Sequence, residues 1–162
     1  MWGKCAFVVA SLAVLSSCAS PHPATRPAAA SPSPVPIATL MPNRALTPGK
    51  ADTVSLAIIC GTTTKSRRHV TEATKARVFA EYHITTRTGY EVDHLVPLAI
   101  GGSNDILNLW PEPAVPVPGF HEKDVLEVRL HTLVCSGKLD VAKAQAQVAT
   151  DWPDAYFQYV KP

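Results

Sequence analysis

No apolar stretch of this 162-residue chain is long enough to cross a membrane as a helix, which needs ~20 residues; the longest, Ala6 to Leu15, is about half that. No sequence repeat is apparent. Neither Cys60 nor Cys135 belongs to a Cys-x-x-Cys pair, which argues against a structural zinc knuckle. Charge of one sign is also missing. The formal net charge of +2 includes Lys4, Arg26 and Arg44, and without these three, 12 basic residues face 13 acidic ones. Bulk charge therefore does not choose a partner. Its distribution is more informative: residues 61–90 carry Lys65, Arg67, Arg68, Lys75, Arg77 and Arg87 against only Glu72 and Glu81. A basic first half beside an acidic second half suits a phosphate-binding face next to a cation-binding one, though a solvated surface has the same composition.

What is present begins with an address. Residues 1–17 (MWGKCAFVVASLAVLSS) place one Lys before an apolar run and then small residues, the layout of a secretory signal peptide. Leu15-Ser16-Ser17-Cys18 resembles a bacterial lipobox, in which the cysteine is acylated and becomes the first residue; an ordinary signal followed by a stray cysteine is the plainer alternative. Eight of the fifteen prolines lie between Ala19 and Gly49, in a Pro/Ala/Ser-rich stretch without the periodicity of a core. Residues 18–49 are thus expected to be a tether and 50–162 the folded domain. Once Cys5 leaves with the signal and Cys18 carries lipid, Cys60 and Cys135 remain. Outside the cytosol they are free to pair, which would staple the start of the domain to a later helix; two buried thiols are the alternative.

Along the domain, Thr53–Ile59 reads as a strand or extended segment. Thr71 can cap a helix carrying Val78, Phe79 and Tyr82 on one face. Tyr90–Leu98 reads as a strand, Gly101–Asp105 as a turn, and Asn108–Trp110 as a second extended piece before a Pro-rich loop to Gly119. A helix from about His121 should bury Val125, Leu126, Leu130, Leu133 and Val134 and end at Gly137. Asp140 caps a further helix that Pro153 breaks, and Trp110 and Trp152 read as core. The order predicts an α+β fold.

Residues 90–124, YEVDHLVPLAIGGSNDILNLWPEPAVPVPGFHEKD, resemble the HNH endonuclease family. The shared features are Asp93-His94 before an apolar Val-Pro stretch, the Gly-Gly-Ser-Asn turn, Asn108-Leu109, and His121 opening a helix with Lys123 just after. The segment that follows, through Trp152, resembles the C-terminal extension of an exported bacterial branch of that family. The resemblance implies a ββα-metal finger with flanking helices and a divalent ion, Mg or Mn, with Zn or Ni as alternatives. It departs from many relatives in lacking knuckle cysteines and in lengthening the Asn108–His121 gap.

The chemistry explains the residue types. Phosphodiester hydrolysis needs an activated water and a Lewis acid on the phosphate. Asp93 and His121 are the expected metal ligands, with Asp124, one turn on, as a further candidate. His94 is the expected general base, because an imidazole titrates near neutrality. Asn108 corresponds to the family's middle Asn, which braces the strand–loop and orients the catalytic histidine. Lys123, Arg67 and Arg68 are expected phosphate contacts. Each residue also has a plainer reading: a strand end, a turn, a solvent-facing helix start, surface charge. Adjacent side chains on a regular strand point to opposite faces, so Asp93 and His94 can share one site only if the strand end is twisted.

The expectation is a lipid-anchored endonuclease of the bacterial cell envelope acting on DNA, with RNA as a further substrate, through backbone contacts rather than base reading. It would touch the membrane only through its lipid and need no obligate protein partner. A non-catalytic metal- or nucleic-acid-binding lipoprotein and a contact-dependent toxin domain are the competing readings.

Overall fold

The computed structural model describes residues 40–161; the expected signal peptide, the acylated Cys18 and the tether up to residue 39 lie outside the described residues. The elements are helices α1 (Leu56–Gly61), α2 (Thr64–Arg67) and α3 (Glu72–Glu81), strands β1 (Tyr90–His94) and β2 (Leu109–Pro113), and helices α4 (Phe120–Cys135) and α5 (Val141–Tyr159). The fold is α+β, with a small antiparallel sheet of two strands. Among the described residues no helix is long and apolar enough to cross a membrane.

Local chemistry sets the helix starts. Thr71 accepts from the Thr74 amide at 3.1 Å and Asp140 from the Lys143 amide at 2.9 Å, each satisfying an otherwise orphaned donor. Gly137, at φ +70°, terminates α4 as expected. Pro153 does interrupt α5: Asp151 leaves helical geometry and its side chain recaps the chain by accepting from the Asp154 amide at 2.9 Å.

Two expectations are corrected. Thr53–Ile59 is not a strand; Ser55 caps α1, which buries Ile59. A short apolar run cannot by itself distinguish strand from helix, and here the extended part is limited to a bridge between Ala51 and Gly102. The folded unit also begins earlier than residue 50. Leu40 is buried and its carbonyl accepts from Trp152 Nε1 at 3.0 Å, while buried Thr47 bonds Tyr82 and the Leu109 carbonyl at 2.7 and 2.9 Å. The proline content of 18–49 marked this stretch as tether, but residues 40–49 hold only two prolines, and Leu40 and Thr47 dock onto α5 and β2.

The strand register puts Glu91 opposite Glu112 and Asp93 opposite Trp110. That face meets α4 and the larger core, where Trp110 packs with Leu126, Leu130 and Trp152. The opposite face, with Val92 and Leu109, meets Val78 and Phe79 of α3. On α4 the buried stripe is Lys123, Leu126, Leu130 and Val134; Val125, expected inside, is 52% exposed. Cys60 and Cys135 form a disulfide, Cα–Cα 5.7 Å, that ties α1 to the end of α4.

A chain beginning at residue 50 should be less stable than one beginning at residue 40 by about 2 kcal/mol or more, since buried polar groups lose partners and the core loses Leu40. Urea unfolding of the two truncations measures the difference, and equal midpoints would mean residues 40–49 contribute nothing.

Candidate active site

Asn108 organises the turn between the strands. Fully buried, it satisfies all of its amide: Oδ1 accepts from the Val96 and Lys50 amides at 2.9 and 3.2 Å, and Nδ2 donates to the Val96 and Ser103 carbonyls, both at 2.9 Å. This is the brace expected of it. Gly102 completes the turn, because a Cβ there would overlap the Val96 carbonyl.

The turn holds Asp93 and His94 at the end of β1. Both are buried, 3% and 1% exposed. Although neighbours on a strand, they converge: His94 Nδ1 lies 3.9 Å from Asp93 Oδ1. His94 Nε2 stands 3.3 Å from Asn104 Oδ1, whose amide Nδ2 donates to the Arg67 carbonyl at 2.8 Å. Asn104 Oδ1 can only accept, so Nε2 is the donor, which leaves Nδ1 as the nitrogen able to carry a lone pair. Nδ1 is buried and has no hydrogen-bond partner.

The second feature was not foreseen. Lys123, expected to contact phosphate, is 0% exposed; its ammonium donates to Asp93 Oδ2 at 2.5 Å, the His94 carbonyl at 2.8 Å and Glu127 at 2.8 Å, with Glu112 at 3.7 Å. It is a buried counter-ion, not a nucleic-acid contact. Burial acts to raise the Asp93 carboxyl, but the Lys123 ammonium outweighs burial and holds the group well below the usual carboxylate range. Burial likewise works against the Lys123 charge, and Asp93, Glu127 and Glu112 more than reverse it, so the amine stays protonated. One ammonium cannot keep three carboxylates ionised. Burial pushes Glu127 up to about 7 despite Lys123, and Glu112 well above its ordinary value. The signal for Lys123 was its spacing with Leu126, Leu130 and Val134, which the charge concealed. Glu127 was visible as its i+4 partner, and Glu112 as the residue opposite Glu91.

His121 is exposed at the start of α4, its ring 4.3 Å from that of Phe120. Among the described residues no three His, Cys, Asp or Glu side chains form a metal-holding group, so the expected set of Asp93, His121 and Asp124 is not assembled. The lengthened loop 114–118 starts α4 so that Lys123, not His121, faces Asp93. Asp124 is exposed, and burial followed by the charge of Asp93 raises its carboxyl; Glu91 is raised by the same two causes. Arg68, expected to contact phosphate, is exposed and reaches Asp93 Oδ1 at 3.7 Å. Arg67 does not: it turns inward, donates to the Leu98 carbonyl at 2.5 Å and leaves Nε and Nη2 buried without partners.

A cation would therefore fit one mode of binding and not another. Asp93 Oδ1 is free of Lys123, the neighbouring carboxyls of Glu91 and Asp124 are disfavoured as anions, and His94 offers an unpartnered nitrogen. That donor set suits an ion of the magnesium type, held by one or two carboxylates and completed by water and phosphate. It does not suit a closed three-ligand zinc site. No protein-family model, curated protein or solved structure matches the chain.

Lys123→Ala should destabilise the fold by ~3–5 kcal/mol, because it strands buried carboxylates; a change under ~0.5 kcal/mol in chemical denaturation would identify an ordinary surface lysine instead. Glu127 retains its proton to higher pH in the folded than in the unfolded chain. The folded state thus binds more protons between about 4.5 and about 7, and stability falls as pH rises through that window. Melting temperature should drop from about pH 5 to about pH 8, less steeply in Glu127→Gln than in wild type. Parallel curves would show that Glu127 does not titrate there.

Proposed function

We propose that this chain is a metal-dependent phosphodiesterase acting on nucleic acid, an endonuclease of the HNH type built on β1, β2 and α4, with DNA as substrate and RNA as a further one. The observation that carries the reading is His94 Nδ1, buried and partnerless 3.9 Å from Asp93 Oδ1. A lone-pair nitrogen and an ionised carboxylate oxygen at that separation can together accept the two hydrogen bonds of one water, whose proton then passes to the nitrogen. The Asn108 brace, at the position the resemblance assigns to it, and the exposed Arg68 beside Asp93 add support.

The steps fall to named groups. Arg68 exchanges Asp93 for a phosphate oxygen of the substrate, a charge-for-charge replacement that its exposure permits. Water aligned by Asp93 Oδ1 attacks phosphorus and gives its proton to His94 Nδ1, while the Nε2–H bond to Asn104 keeps the ring in the required tautomer. The bond from phosphorus to the 3′-oxygen breaks, the departing 3′-alkoxide takes a proton from solvent, and His94 returns its own to solvent, leaving 5′-phosphate and 3′-hydroxyl ends. Asp93, with Asp124 on the approach, would hold a divalent ion, Mg or Mn, that acts as Lewis acid on the phosphate. Lys123 keeps Asp93 ionised for both tasks. The competing reading, a binding protein that does not cut, draws on one observation: His121 does not join the expected ligands. The same proposal places the enzyme in the cell envelope, exported and held by an acyl chain on Cys18.

Incubation of supercoiled plasmid with the purified chain and Mg²⁺ or Mn²⁺ should give nicks that EDTA abolishes. His94→Ala should lower the rate about 10²–10⁴-fold, the usual worth of a general base. His121→Ala should stay close to wild type. No nicking by folded protein with any divalent ion would favour the binding reading, and a His121→Ala loss as large as that of His94→Ala would restore His121 as a ligand.

A further inference from the structure

A cleft of about 550 Å³ opens between α3 and β1; Arg68 and Asp124 connect it to the hydrolytic site, but the hydrolytic steps leave the rest of its lining unused. Its volume lies in the range of a small-ligand site, ~300–1,000 Å³, enough for a nucleotide or two and too small for a duplex. Three cations line it: Arg68, Lys75 and Arg87. Arg68 connects it to the catalytic pair, because the same guanidinium stands 3.7 Å from Asp93 Oδ1. Arg87 is held in place by the Phe79 ring, 5.0 Å below its guanidinium carbon. Tyr90 also lines it and is 39% exposed, an aromatic side chain partly open to solvent.

We propose that this cleft binds a single-stranded nucleic-acid segment running from the Asp93–His94 site, with phosphates on Arg68, Lys75 and Arg87 and a base stacked on Tyr90. The combination of cations with an exposed aromatic is what strand-tracking sites use without reading sequence. The cleft's acids do not oppose this. Glu72 pairs with Lys75 at 2.8 Å, but both side chains reach solvent, so a phosphate oxygen can exchange for that carboxylate on Lys75; Asp124 and Glu91 sit at the end nearest Asp93, where a cation rather than a phosphate belongs. The proposal rests on the nuclease reading for the direction of the strand, but not for the binding itself.

Binding of a fluorescein-labelled oligothymidylate to the full chain, followed by anisotropy in EDTA across a salt series, tests it without reading cleavage. Lys75→Gln/Arg87→Gln should weaken binding about tenfold and flatten the plot of log K against log salt by ~0.7 for each phosphate that is no longer neutralised. Tyr90→Ala should weaken it about tenfold with the slope unchanged, as removal of a stacking platform does. Lys138→Gln, a charge removed elsewhere, should leave both unchanged. Cleft variants that bind like wild type, wild-type protein that does not bind at all, or duplex bound more tightly than single strand would each overturn the proposal. Binding that depends on the cleft without any plasmid nicking would sink only the nuclease reading. Nicking by a protein whose cleft variants bind normally would sink only the cleft.

Discussion

The Lys123 ammonium is the constraint on which the rest of the site depends. It joins α4 to the end of β1 by bonding Asp93 and the His94 carbonyl at once, and it does so with no exposure to water. A buried ion pair is weak evidence for net stability, because desolvation offsets most of the attraction. Its effect here is geometric and electrostatic: one Asp93 oxygen is committed to Lys123, the other is left to Arg68 and His94, and the His94 backbone is pinned. The disulfide and the Asn108 amide act in the same direction, one holding α1 against α4 and the other closing the loop between the strands.

The distribution of charge follows from that arrangement. Three carboxylates around one ammonium cannot all ionise, so Glu112 and Glu127 retain protons to higher pH while Asp93 gives its proton up. On the outer side, Glu91 and Asp124 line one cleft together with Arg68, Lys75 and Arg87, so acids and cations meet there. Arg68 stands at the boundary, lining the cleft while reaching Asp93 Oδ1 at 3.7 Å.

Much of this was legible in residues with local signatures. Thr71, Asp140 and Gly137 mark helix ends because capping is a contact between near neighbours. Cys60 and Cys135 pair rather than remaining two buried thiols, and the Asn108 amide braces the loop. The failures share a cause: each depended on a distant partner. Residues 40–49 pack because Trp152 and Tyr82, more than thirty residues away, hold them. Thr53–Ile59 is helical in part, where Ser55 caps it and Cys60 meets Cys135. His121 misses Asp93 because loop 114–118 sets the phase of α4, and that same phase puts Lys123 in the core, where charge alone predicted solvent.

The central claim is that Asp93 and His94, not His121, form the working pair, with His94 presenting Nδ1 to it. Long-range ¹⁵N–¹H correlation of histidine side chains in the full chain, before and after addition of Mg²⁺, tests this most directly. The account predicts His94 as the Nε2–H tautomer, with its Nδ1 resonance moving on addition of the ion and the His121 resonances unmoved. A proton on His94 Nδ1, or an ion that shifts His121 and leaves His94 unchanged, would contradict it.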